Sequence, residues 1–93
     1  MAVDQFLPSA GEVTMFTTTW CSYCKRLKPQ LDQAGIAYAE VNIEEIENGA
    51  AVVEEANGGN QTVPTLLFAD GTTQTNPSRA QVAQKLEELA AAQ

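Results

Sequence analysis

Residues 20–24 read Trp20-Cys21-Ser22-Tyr23-Cys24 and contain both cysteines of this 93-residue chain. The run before them, Val13 to Thr18, is rich in apolar residues and predicts a strand. The run after them, Lys25 to Ala34, predicts a helix. A strand that leads into Cys-x-x-Cys at the start of a helix is the arrangement expected of thiol–disulfide chemistry.

The two cysteines are expected to have different roles. The aligned N–H groups at a helix N-terminus favour an anion, so they stabilise a thiolate on Cys21 and lower its pKa below the free-cysteine value of about 8.5. Cys24 lies one turn further along the helix, close enough to attack a disulfide formed at Cys21. We therefore assign Cys21 as the nucleophile and Cys24 as its redox partner.

The cysteine pair could also serve one of three roles without redox chemistry. A structural disulfide across so short a loop would remove little entropy from the unfolded chain. A zinc site would need four nitrogen or sulfur ligands, and the chain has no histidine and no third cysteine. Two coincidental core cysteines fit poorly with the turn position and the flanking aromatic residues. We expect no metal site and no tightly bound cofactor.

Length and composition predict one small domain over residues 1–93, with a modest core from the 44% hydrophobic content. The chain has no run of about eighteen apolar residues, so we expect no membrane span. The N-terminus lacks the basic and apolar pattern of a secretory signal. Together with the use of only two cysteines, this favours the reducing cytoplasm.

The charge balance is acidic, with 5 basic and 12 acidic residues and a net charge of −7. Nucleic-acid binding depends on neutralising phosphates, so this balance disfavours it. We interpret the acidic residues as solvated helix faces and expect a monomer.

The rest of the chain predicts alternating strands and helices. The first helix contains Pro29, which should kink it, and Gly35 should end it. A capping box, Ser78 with Gln81, should open the last helix. The remaining predicted elements are a strand over Ala37–Ile43, a helix capped by Asn48, a strand over Thr65–Phe68, a turn at Asp70-Gly71 and a strand over Thr72–Thr75. The order β-α-β-α-β-β-α predicts an α/β fold, a four-stranded mixed sheet flanked by three helices.

With these elements in place, the chain resembles thioredoxin-fold proteins and, among them, glutaredoxins. The shared features are the Trp20–Cys24 segment, the Thr62-Val63-Pro64 triplet, the position of Pro29 and the element order. A more specific resemblance is to mycoredoxins, the glutaredoxin-like proteins of actinobacteria. It rests on Asn57-Gly58-Gly59-Asn60, Thr62-Val63-Pro64-Thr65, Phe68-Ala69-Asp70-Gly71 and Thr75-Asn76-Pro77-Ser78.

The resemblance implies a cis bond before Pro64, which would direct the Val63 backbone toward Cys21. The free N–H and C=O of Val63 could then pair with an extended thiol substrate. Trp20 and Tyr23 either frame the thiol or pack in the core, and we favour framing for Tyr23. The implied substrate-binding residues are Trp20, Tyr23, Thr62, Val63, Pro64, Thr75, Asn76 and Ser78.

Two departures from glutathione-using glutaredoxins bear on the substrate. Thr18 stands where those proteins usually carry a lysine, and Thr75–Ser78 replaces their Gly-Gly and aspartate. Glutathione has two carboxylates and an amine, which those residues pair with. A site of hydroxyls and amides suits a neutral, sugar-like thiol better. Mycothiol, a cysteine joined to an amino sugar and inositol, is such a thiol.

The sequence therefore predicts a thiol–disulfide oxidoreductase that removes mycothiol from protein mixed disulfides by a monothiol route, with mycothiol as co-substrate. Its expected partners are mycothiol, mycothiolated or disulfide-bonded proteins and, indirectly, mycothiol disulfide reductase. One alternative is a dithiol electron donor of thioredoxin or NrdH-redoxin type, reduced by a flavoprotein reductase. Another is an iron–sulfur cluster carrier.

Overall fold

Strand β1 (Val13–Thr17) lies inside a four-stranded sheet in the computed structural model, which describes residues 5–46 and 48–91. The other elements are α1 (Ser22–Gln33), β2 (Tyr38–Asn42), α2 (Gly49–Ala56), β3 (Thr65–Leu67), β4 (Thr73–Thr75) and α3 (Arg79–Ala91). The element order and the mixed four-stranded sheet confirm the predicted thioredoxin fold.

The sheet has the spatial order β2-β1-β3-β4. Strand β1 pairs in parallel with β2 and antiparallel with β3, and β4 closes the sheet as an antiparallel hairpin with β3. All five residues of β1 are buried, as expected for a strand covered on both faces. The C-terminal end of this buried strand leads directly into the loop that carries the cysteines.

Two apolar clusters cover the two faces of the sheet. On one face, Phe16 and Leu67 pack with Val52 and Val53 of α2, and this cluster also contains both cysteines, Ile43 and Val63. On the other face, Met15 and Leu66 pack with α1 and α3 through Leu27, Leu31 and Val82. Full burial of one such side chain stabilises the fold by about 1.5–3 kcal/mol. The first cluster fixes the cysteine pair against the core.

Most element boundaries differ from the predicted ones by one to three residues. Helix α1 begins at Ser22, three residues before the predicted start, because the Cys21 sulfur caps it. Strand β2 is shorter at both ends, β3 ends at Leu67, and β4 begins at Thr73. The turn at Asp70-Gly71 is confirmed, with Asp70 Oδ1 accepting hydrogen bonds from the N–H and hydroxyl of Thr72.

The predicted helix ends have mixed outcomes. Gly35, at φ +72°, ends α1, and the Ile36 N–H donates to the carbonyl of Leu31 over 3.0 Å, which is a Schellman motif. The helix continues through Pro29. The capping box is confirmed: the Ser78 N–H donates to Gln81 Oε1 over 2.8 Å, and the Gln81 N–H donates to Ser78 Oγ over 3.2 Å.

The predicted cap of α2 is wrong in its mechanism. Asn48 stands at the N-cap position but has left-handed backbone, with φ 72°, and its side chain makes no capping hydrogen bond. A capping side chain needs an extended backbone to reach the N–H groups of the first turn. Asparagine tolerates the left-handed region better than most residues do, so here it serves the turn before the helix.

No helix within the described ranges is long and apolar enough to cross a bilayer.

Candidate active site

Cys21 occupies the N-cap of α1, where its backbone is extended and its sulfur accepts a hydrogen bond from the Cys24 N–H over 3.1 Å. The two cysteines form a disulfide, with their Cα atoms 5.3 Å apart. Both residues are buried, Cys21 with 3% and Cys24 with 1% of its surface exposed. The pair can therefore cycle between a dithiol and a disulfide, and Cys21 is the one whose sulfur lies at the helix end.

Two exposed aromatic side chains flank the pair. Trp20 is 69% exposed and Tyr23 is 54% exposed, so neither belongs to the core. The Arg26 guanidinium lies 5.7 Å from the centre of the Tyr23 ring, within the range of a cation–π contact. Of the two roles open for Trp20, this exposure excludes packing in the core, and the frame around the thiol stays a prediction.

The Thr62–Pro64 segment lies against the cysteines. The Val63–Pro64 bond is cis, as the resemblance implied, and Val63 belongs to the same apolar cluster as Cys21 and Cys24. The Asn76 N–H donates to the Pro64 carbonyl over 2.7 Å. Neither main-chain polar group of Val63 bonds to another main-chain group within residues 5–46 and 48–91. Strand-like pairing with a substrate requires main-chain groups that are free in this way.

An open groove of about 340 Å³ runs beside the cysteine helix, between α1 and the start of α3. Three of the predicted substrate-binding residues line it, Tyr23, Asn76 and Ser78. The remaining lining residues are Arg26, Leu27, Gln30, Pro77 and Gln81. The lining is therefore mainly hydroxyl, amide and apolar, with one cationic side chain.

The other predicted binding residues lie outside this groove. The Thr75 hydroxyl donates to Asn57 Oδ1, and the Thr62 carbonyl accepts from the Thr65 hydroxyl over 2.8 Å. Thr18 is only 6% exposed, and its side chain lines no part of the groove. In the structure this groove is thus separate from the segment beside the cysteines that carries the cis bond.

Glu44 is a neighbour of the site that the sequence pattern does not reveal. Its Oε1 accepts from the Thr19 N–H over 3.2 Å and from the Thr19 hydroxyl over 2.8 Å. These bonds hold its pKa below the ordinary glutamate value, the hydroxyl bond contributing most and the Trp20 side chain adding to it. The expected place of Glu44 on a solvated helix face is wrong, because it lies after β2. The parallel register that pairs Thr17 with Asn42 places Thr19 opposite Glu44, so the strand pairing is the signal for this contact.

Two basic residues of α1 have specific partners. Lys28 pairs with Glu40 and so joins α1 to β2. Arg26 is held over Tyr23 at the rim of the groove. Of these two cations, only Arg26 is placed to meet a bound ligand.

Comparisons with known proteins agree with this site. A glutaredoxin family model matches residues 13–72. The chain is 53% identical over 78 residues to a candidate glutaredoxin of Mycobacterium tuberculosis, Rv3198A, covering 84% of this chain and 93% of the relative. It is 41% identical over 80 residues to Mycoredoxin 1 of Corynebacterium glutamicum, covering 86% of this chain and 99% of that protein.

Solved structures share the fold. The glutaredoxin from Methanosarcina mazei superposes with a TM-score of 0.71 at 21% identity, over 83% of this chain and 79% of that one. A buckwheat glutaredoxin–glutathione complex gives a TM-score of 0.68 at 24% identity, over 96% and 86% of the two chains. A cysteine pair lies at the start of α1, a cis bond packs beside it, and the family model covers most of the sheet. The chain therefore belongs to the glutaredoxin family of thiol–disulfide oxidoreductases.

Proposed function

We propose that this protein reduces mixed disulfides between mycothiol and protein cysteines, by a monothiol route with Cys21 as the nucleophile. The observation that carries the proposal is the groove between α1 and the start of α3, called the thiol groove below, whose polar lining is mainly uncharged. Similarity to a protein named Mycoredoxin 1 supports it. The proposal assigns this chemistry to the reducing cytoplasm, where a two-cysteine redox protein would work.

The proposed reaction consists of two thiol–disulfide exchanges. The Cys21 thiolate attacks the mycothiol sulfur of the mixed disulfide, the old S–S bond breaks, and the protein cysteine leaves as a thiolate that takes a proton from water. A second mycothiol thiolate then attacks the mycothiol sulfur held on Cys21. The products are mycothiol disulfide and free Cys21 thiolate, so the sulfur of the second mycothiol is oxidised as the protein cysteine is reduced. Mycothiol disulfide reductase would return the mycothiol.

The position of Cys21 suits it to the first attack. Its sulfur lies where the N–H groups of α1 converge, and the Cys24 N–H already points at it. Charge-assisted hydrogen bonds of this kind favour the anionic form of the acceptor. Cys24 is further inside the fold and is the partner in a reversible side reaction that gives the Cys21–Cys24 disulfide.

The groove suits a neutral thiol better than glutathione. N–H groups at the start of a helix are natural partners for a carboxylate, and at the start of α3 the capping box already uses those of Ser78 and Gln81. Asn76 and Ser78 offer amide and hydroxyl groups to the hydroxyls of a sugar or inositol. The Thr75 hydroxyl donates its hydrogen to Asn57, so it could only accept a hydrogen bond from a ligand.

The protein half of the mixed disulfide would lie on the other side of the cysteines. Trp20 offers exposed apolar surface for it, whereas the Val63 N–H and C=O can pair with the extended cysteinyl part of the thiol half. The mixed disulfide would therefore be held on both sides of its S–S bond, with the mycothiol sulfur next to Cys21.

A dithiol route is the second candidate, favoured by the Cys21–Cys24 disulfide itself. In that route Cys24 expels the substrate from Cys21, and a flavoprotein reductase restores the dithiol. Intramolecular attack would then be much faster than attack by a thiol from solution. The two routes differ in whether Cys24 is required.

The deciding experiment measures the reduction of a mycothiolated protein by wild type, Cys24→Ser and Cys21→Ser, with mycothiol and its disulfide reductase supplied. We expect Cys24→Ser to keep most of the activity and Cys21→Ser to lose it. Near-complete loss in Cys24→Ser would establish the dithiol route instead. A parallel series with a glutathionylated protein, glutathione and glutathione reductase tests the thiol, and equal or higher wild-type activity there would contradict the choice of mycothiol.

A further inference from the structure

The Asn57 side chain, at the end of α2, binds three separate segments of the chain. Its Nδ2 donates to the Val53 carbonyl over 2.8 Å and to Thr65 Oγ1 over 3.2 Å. Its Oδ1 accepts from the hydroxyl of Thr75. One amide therefore joins the last turn of α2, the start of β3 and the end of β4.

The network continues into the segment with the cis bond. Thr65 is fully buried, and its hydroxyl accepts from Asn57 while it donates to the Thr62 carbonyl over 2.8 Å. At the other end of the segment, the Pro64 carbonyl accepts from the Asn76 N–H. Residues 62–64 are thus held at both ends, at Thr62 through Asn57 and Thr65, and at Pro64 through the residue that follows Thr75.

The backbone does not explain why asparagine stands here. Asn57 has φ −119°, outside the left-handed region that favours asparagine or glycine. Its amide, in contrast, is fully used, because it donates twice and accepts once. Aspartate at this position could accept from Thr75 but could not donate to Thr65 or Val53. The side-chain chemistry is therefore the reason for the residue.

We propose that Asn57 is a positioning residue that sets the segment Thr62–Pro64 relative to the thiol groove. The inference rests on the proposed function, in which this segment pairs with the cysteinyl part of the thiol and the groove holds the rest of that thiol. Asn57 touches neither part. It acts through Thr65 on the segment and through Thr75 on the strand that leads to Asn76 in the groove.

The first test compares Asn57→Ala with Asn60→Ala in the steady-state reduction of a mycothiolated protein. Asn60 is a matched control, because its exposed side chain makes one bond of the same kind, to the Asn57 carbonyl over 3.3 Å. A misplaced binding segment weakens substrate binding in ground and transition states alike, so for Asn57→Ala we expect KM to rise about tenfold and kcat to stay within about twofold. The alkylation profile of Cys21 against pH should not move.

The second test asks whether the effect passes through Thr65. Thr65→Val removes the hydroxyl and should raise KM as Asn57→Ala does, whereas Thr65→Ser keeps the hydroxyl and should restore a KM near that of wild type. In a double-mutant cycle, Asn57→Ala and Thr65→Val should be clearly less than additive. Additive effects, or equal KM values for Thr65→Ser and Thr65→Val, would overturn the route through Thr65.

Hydrogen exchange provides a readout that needs no activity. In Asn57→Ala the amide of Asn76, which donates to the Pro64 carbonyl, and the amide of Thr65 in β3 should exchange faster than in wild type, and Asn60→Ala should leave them unchanged. Unchanged exchange and unchanged KM in a folded Asn57→Ala protein would overturn the inference. Lack of mycothiol-dependent activity in wild type, together with faster exchange in Asn57→Ala, would instead overturn the proposed function and leave the positioning role intact.

Discussion

Glu40 connects three elements, and substituting it should separate the contribution of its charge from that of a buried hydroxyl. Its carboxylate, on β2, pairs with Lys28 of α1 and accepts from the Thr17 hydroxyl over 3.0 Å. Thr17 is 1% exposed, and it is the last residue of β1 before the active-site loop. Glu40→Gln removes the charge but keeps an oxygen that can accept from Thr17, whereas Glu40→Ala removes both interactions.

The expected magnitudes follow from exposure. The Lys28 and Glu40 side chains are 31% and 39% exposed, so solvent screening limits their pair to about 0.2–1 kcal/mol. A buried hydroxyl left without its acceptor costs about 1–3 kcal/mol. We therefore expect Glu40→Gln to lower the free energy of unfolding by less than about 1 kcal/mol, and Glu40→Ala to lower it by about 2–3 kcal/mol. In a domain of this size each kcal/mol moves Tm by roughly 4–8 °C.

The dependence on pH adds a second check. The Lys28 contact holds the pKa of Glu40 below its ordinary range, against the opposing effect of burial, and the Thr17 hydroxyl helps. A lowered pKa stabilises the folded state above the unfolded value of roughly 4.3, and this stabilisation is lost as the pH falls through the folded pKa. The difference between wild type and Glu40→Gln should therefore be present at neutral pH and shrink in acid.

Urea unfolding of the oxidised proteins at neutral and acidic pH measures all of these quantities, with Glu55→Ala on the exposed surface of α2 as the control. Equal losses of unfolding free energy in Glu40→Gln and Glu40→Ala would show that the Thr17 hydroxyl does not depend on this acceptor. A wild-type advantage over Glu40→Gln that persists unchanged in acid would show that the ion pair is not its source.

Three further outcomes are expected. In Cys24→Ser, iodoacetamide should alkylate Cys21 with a midpoint below the free-thiol value of about 8.5, and a midpoint at or above that value would contradict the N-cap argument. The fluorescence of Trp20, the one tryptophan of the chain, should change in Glu44→Ala and far less in Glu44→Gln, which keeps an acceptor for Thr19; equal spectra in both variants would refute the contact. Ser78→Ala should cost about 1 kcal/mol of stability, and no change on thermal unfolding would show that the capping box contributes nothing.

The sequence predicts the parts of this molecule that depend on neighbours along the chain. The capping box at Ser78 spans three residues, and Gly35 ends its helix by a property of its own backbone, so both are visible as local patterns. The predicted start of α1 is wrong because a cysteine sulfur, rather than a usual capping side chain, accepts a hydrogen bond from the Cys24 N–H in the first turn. Asn48 fails as a cap because its left-handed backbone, not its side-chain type, decides whether the side chain can reach the N–H groups of the first turn.

The contacts that sequence patterns do not reveal are those that join distant segments. Glu44 meets Thr19 only because β1 and β2 pair in parallel and in one register. Asn57 meets Thr75 only because β3 and β4 fold back on each other beside the end of α2. Such contacts depend on the three-dimensional register, which periodicity along the chain does not contain. The cysteine pair and the cis segment are recognisable from the sequence because members of the resembled family share this three-dimensional register.

The pairing of β1 with β3 has a consequence for the nascent chain. The ribosome delivers Cys21 and Cys24 before Val63 and Leu67, which pack in the same cluster. Strand pairs between distant segments form late for the same reason. Sulfurs that the folded protein covers almost completely are therefore open to oxidants and to foreign thiols until this later segment has been made. Selective access to the redox centre begins only when residues 65–75 have left the ribosome and closed the sheet.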